Sequence, residues 1–150
     1  MPELATPTTA TVNPPLARYA VPVGRTLFAI LFVVSGIGHF SSQTIGYAAS
    51  TGLPYAGFLV PASGVLAIAG AISIAAGYRA RLGALALIAF LVPVTLTMHA
   101  FWAAPDAMTR AMQQVQFLKN AALVGAALFI TYFGAGPISF DAHRARQDRP

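Results

Sequence analysis

Cysteine is absent, and only four of the 150 residues are acidic. Without a thiol the chain cannot build a disulfide relay, a thiolate nucleophile, a Cys-ligated zinc site or an iron–sulfur cluster. It also lacks an HExxH pair and a glycine-rich loop ahead of a helix, so metalloprotease and nucleotide chemistry have no residues to stand on and no metal site is expected. Charged residues make up 9% of the chain against 57% hydrophobic, too little polar surface to coat a water-soluble globule. Polar faces at a 3.6-residue period, which would mark a soluble helical core, are missing as well.

Four long apolar runs are present instead, over residues 21–40, 56–76, 82–102 and 115–133. Each is near the ~20 residues that a helix rising about 1.5 Å per residue needs to cross about 30 Å of hydrocarbon. Only helices and closed barrels satisfy their backbone groups in lipid, and the alternating ten-residue segments of a barrel are absent. The expected fold is all-α: a four-transmembrane-helix bundle with short loops and flexible polar termini. Its parts would be a tail over 1–20, the membrane domain over 21–136 and a charged tail over 137–150. The first run exceeds a secretory h-region, so it is read as an uncleaved helix.

The net charge of +5 might suggest nucleic acid as a partner, but the basic residues form no patch interleaved with aromatics. They sort by side of a membrane. Arg18 and Arg25, then Arg79 and Arg81 in "GYRAR", then Arg144, Arg146 and Arg149 all fall on one side of a four-span chain. The other side has Arg110, with Lys119 just inside the fourth span. The positive-inside rule then puts both termini in the cytoplasm. On the opposite side, "SSQTIGYAASTGLPY" has room for an interfacial helical turn, and Asp106 in "AAPDAMTR" suits an N-cap of the fourth helix.

Polar residues at membrane depth are costly and are functional candidates by default. The first span carries Ser35 and His39 four residues apart, and the third carries Thr95 and His99 in the same relation, ending in "TMHAFW". At the standard rise the two histidines lie about 21 and 27 Å from Arg25 and Arg81, close to the far surface. The fourth span begins with Gln113, Gln116, Lys119 and Asn120. If these faces turn inward, Ser35, His39, His99, Gln116, Lys119 and Asn120 meet at one depth, with Trp102 beside them. The competing reading is structural: an aromatic belt at Trp102, a snorkelling Lys119 and amides that tie helices together. Ala67, Ala71 and Ala75 with Gly64 and Gly70 mark the second span as a small-residue packing surface, and Pro93 interrupts the third.

The segments "VGRTLFAILFVVSGIGHF", "GLPYAGFLVPASGVLAIAGAISIAAGYRARLGA", "MHAFW", "QFLKNAALVGAAL" and "FGAGPISFD" resemble, in order, the DoxX family of small bacterial and archaeal membrane proteins. The resemblance implies four transmembrane helices in the cell (inner) membrane and an association with quinone-linked oxidoreductase subunits. It departs from the family at Ala67, where many relatives have glutamate, which weakens any mechanism needing a buried carboxylate. Two functions follow as expectations. In one, the polar cluster of a redox-complex subunit binds a quinone, whose carbonyls want His, Lys or amide donors and whose tail wants apolar helices. In the other, the protein is a scaffold, a small-molecule transport protein or a homo-oligomer without chemistry of its own. Haem held by His39 and His99 is not expected, since it requires facing rings.

Overall fold

The computed structural model describes residues 17–148. Residues 1–16 of the tail read over 1–20, and Arg149, lie outside the described residues. A 3-10 turn at Ala17–Tyr19 leads into α1 (Ala20–Gly38), followed by α2 (Ser42–Ser50), α3 (Ala56–Ala76), α4 (Ala80–Met98), a 3-10 turn at Phe101–Ala103, α5 (Ala107–Phe133) and α6 (Phe140–Gln147). Four of these, α1, α3, α4 and α5, are long and apolar enough to cross a membrane. The protein is an all-α integral membrane bundle, and the described residues contain no strand.

The chain folds as a series: α1 packs on α3, α3 on α4, and α4 on α5. The middle position of α3 follows from its glycines and alanines. A Cβ placed on Gly64 would stand 2.8 Å from the Gly36 carbonyl of α1, and one on Gly70 would stand 3.0 Å from the Gly83 carbonyl of α4. Both crossings therefore bring backbone against backbone, the arrangement that dispersion forces favour where lipid removes the hydrophobic drive. Ala67 and Ala71 are fully buried there, with Phe32, Ile74 and Leu87 filling the space around them. At the ends of the series, α1 and α5 meet at most marginally. That leaves a gap between them backed by α4.

The helix α2 realises the interfacial turn expected after the first span. Ser41 caps it by accepting from the Thr44 N–H at 3.2 Å. Its inner face, Ile45 and Ala48, forms a second small core with Leu53, Ala56, Val60 and Met98. This helix therefore covers one end of the bundle. Asp106 is the N-cap of α5, as read: its carboxylate accepts from the Thr109 N–H at 2.8 Å and the Thr109 hydroxyl at 2.7 Å. Those two bonds hold its pKa below the usual carboxylate value, the backbone N–H contributing most.

The C-terminal region is more ordered than the charged tail read over 137–150. Ser139 caps α6, and Asp141 accepts from the N–H groups of Arg79 at 2.7 Å and Ala80 at 3.1 Å. The reason lies in "GYRAR". Gly77 and Arg79 both adopt left-handed backbone conformations, with φ of 66° and 49°, and no side chain there can cap α4. The orphan amides of its first turn need an acceptor, and Asp141 supplies it from sixty residues away. Arg25, buried in α1, closes the same end by donating to the carbonyls of Ala135 and Ile138.

Candidate functional site

A cavity of about 490 Å³ opens at the end of the bundle covered by α2. Its walls come from α1, α3, α4 and α5, with α2 across the top, and most of its lining is aliphatic or aromatic. Its volume lies within the range of about 300–1,000 Å³ usual for small-molecule sites. Into this apolar space project Ser35, His39, Thr44, Tyr47, Ser63, Thr97, His99, Gln116, Lys119 and Asn120. Six of the seven residues singled out in the sequence thus line one cavity.

The exception is Trp102. It is 56% exposed and packs edge-on against Phe101 and Phe117, with ring centroids 5.1 and 5.9 Å away. It forms an aromatic cluster beside the cavity without lining it.

Both histidines stand where a helix stops. His39 is the C-cap residue of α1 and His99 that of α4. Gly64 makes room for His39, because a Cβ on Gly64 would approach the His39 Cβ to 2.8 Å. The His39 ring stands edge-on to Phe90 at 5.5 Å, and its Nδ1 is buried without a partner among the described residues. His99 was expected one helical turn beyond Thr95 on a common face. Instead α4 ends at Met98, and His99 takes φ −122° and ψ 39° as the chain bends toward Phe101–Ala103.

That bend carries His99 to α5. Its Nδ1 lies 2.8 Å from Gln113 Oε1, and Gln113 Nε2 donates to the Tyr47 hydroxyl at 3.2 Å. With Gln113 in this orientation, His99 Nδ1 is the donor, and a neutral ring keeps Nε2 as an acceptor. The Tyr47 hydroxyl, having accepted, retains its own proton to donate. Gln113 and Tyr47 were not among the residues singled out for the site. Gln113 shares a face with Gln116 and Asn120, a usable signal, but Tyr47 reaches it only because α2 folds back over α3.

On α5, Asn120 is only 6% exposed, lines the cavity and makes no side-chain hydrogen bond among the described residues. Lys119 lines the same space. From α4, Pro93 contributes a missing N–H as well as a wall, so the Ala89 carbonyl lacks its usual partner four residues on, and both residues line the cavity. The site therefore offers an ammonium, an amide, an imidazole acceptor and a phenol, set in apolar walls. Among the described residues no group of three His or acidic side chains could hold a metal ion. Ala67 is fully buried in the core and does not line the cavity.

No solved structure matches the chain. The inner membrane protein YqjF of Escherichia coli (strain K12) is 28% identical over 128 residues, covering 84% of this chain and 92% of that protein. The DoxX family model matches residues 20–100, just over half of the chain and the stretch that forms α1 to α4. On that match, and on the four membrane-crossing helices, the chain belongs to the DoxX family.

Proposed function

We propose that this protein is the membrane subunit of a quinone-linked redox complex and that the cavity between α1, α4 and α5 takes the quinone headgroup. The observation that carries this is Asn120, whose side chain lines a mostly apolar cavity and makes no hydrogen bond to another side chain or to the backbone among the described residues. An amide open to the cavity can donate to a ligand carbonyl, a hydrogen bond worth about 0.5–1.5 kcal/mol net. Lys119 and Asn120 would donate to quinone carbonyls, and the Tyr47–Gln113–His99 chain would orient the imidazole. The gap between α1 and α5 would leave the apolar tail among lipid.

The basic residues support an orientation with both termini and the Arg79–Arg81 turn in the cytoplasm, and the histidine end outside. The membrane would be the inner membrane, as the name of the Escherichia coli relative states for that protein.

The test is binding of a short-tailed quinone to the purified protein by titration calorimetry. Saturable binding is expected, weakened at least tenfold by Asn120→Ala together with Lys119→Met, the scale of two lost polar contacts. Unchanged affinity in that double variant would remove the site assignment. A scaffold role has one observation in its favour: α5 buries only Asn120 and Ala127, leaving a long apolar helix free for a partner or a second copy. Co-purification of cross-linked partners with a variant that binds no quinone would favour that role.

A further inference from the structure

A second cavity, of about 450 Å³, lies at the opposite end of the bundle, between the turn that opens α4 and the segment that follows α5. Arg79 and Arg81 line it from one side, Ala135 and Gly136 from the other, with Leu82 and Phe133 at its apolar edge. We infer that it binds the phosphodiester headgroup of an anionic phospholipid.

The donors are arranged for an anion. Arg81 spends one Nη2 contact on the Tyr132 carbonyl at 3.2 Å, and a guanidinium has five N–H groups, so most of its fork remains available. The N–H groups of Ala135 and Gly136 have no acceptor among the described residues, although Ala135 is 5% exposed. The Arg25 guanidinium donates to the Ala135 carbonyl, which belongs to the same peptide unit as the Gly136 N–H. Polarisation through that peptide strengthens the N–H as a donor. Gly134 and Gly136, both at φ 77°, give the segment its sharp turns.

The single carboxylate in the lining is Asp141, and both its oxygens already accept from the Arg79 and Ala80 N–H groups. Arg144 adds positive charge nearby, its guanidinium 5.2 Å from the Tyr78 ring that Arg79 also overlies at 5.7 Å. A free phosphate would use the same donors. The choice of a lipid rests on position: the cavity lies where α4 enters and α5 leaves the membrane span, and Leu82 and Phe133, 58% and 70% exposed, continue its edge onto the lipid-facing surface.

Native mass spectrometry of the full-length protein in detergent tests this. Phosphatidylglycerol should be retained about 30-fold more strongly than phosphatidylcholine of the same chains, the scale of two cationic side chains at a charged headgroup. Arg79→Gln with Arg81→Gln should abolish the preference, and Arg110→Gln at the far end should leave it intact. Equal retention of the two lipids by the wild-type protein, or an unchanged preference in the double glutamine variant, would overturn the inference. So would displacement of phosphatidylglycerol by inorganic phosphate, which would assign the site to a free anion. If the glutamine variant does not fold, Arg79→Lys with Arg81→Lys keeps the charge but loses the planar fork. Retention about threefold weaker is then expected, and unaltered retention would count against the site.

Discussion

Gly64 determines where His39 can sit. It faces both the Gly36 carbonyl and the His39 side chain, so a methyl group there has no room. Gly64→Ala should destabilise the protein by about 1–3 kcal/mol, the usual range for overpacking, and disturb the cavity wall at His39. Thermal unfolding in detergent measures the first effect and quinone titration the second. Gly125, where an added Cβ meets nothing within 4 Å, is the control: Gly125→Ala should be neutral or stabilising. At this scale the sequence was a good guide to which polar residues gather, because Ser35, Gln116, Lys119 and Asn120 lie on helices whose period fixes their facing. It was a poorer guide to how they are held. The link from His99 through Gln113 to Tyr47 depends on a bend after Met98 and on a helix that returns across the bundle, and neither has a periodic signature.

Among the helices, the four membrane spans were legible because lipid imposes a length and a composition on each. Their ends were less so. The third apolar run continues to Trp102, while the helix stops at Met98, since hydropathy does not register where the backbone bends. The α6 helix was missed because eight residues rich in charge carry no apolar stripe, and what fixes it is the contact of Asp141 with α4. Asp141→Ala should therefore cost about 1–2 kcal/mol by uncapping α4, and Asp141→Asn should recover part of it. Hydrogen exchange at Arg79 and Ala80 reports the cap directly. For α5 the cap is Asp106, whose depressed pKa gives a defined sign. The stabilisation is complete above the unfolded-state pKa and is lost as pH falls through the lower folded-state value. Acid titration of the wild-type protein should thus loosen the first turn of α5, and Asp106→Asn should remove that pH dependence while keeping the helix capped.

Taken whole, the molecule has two chemically distinct ends: one apolar cavity edged by histidines and amides, and one cluster of arginines. The absence of native cysteine makes its orientation easy to measure. The proposed orientation, with both termini in the cytoplasm, requires that a membrane-impermeant thiol reagent added to intact cells label Arg110→Cys and leave Gln147→Cys unlabelled. The reverse pattern would invert the protein, and the proposed quinone site would then face the cytoplasm. The contacts of Arg25 and Asp141 have a consequence for biosynthesis. Arg25 of α1 and the first amides of α4 are made before their acceptors, the carbonyls of Ala135 and Ile138 and the carboxylate of Asp141. The arginine end of the bundle can close only after residue 141 has been made, so a chain stopped short of residue 135 would present a buried-type arginine and an uncapped helix to the machinery that removes incomplete membrane proteins.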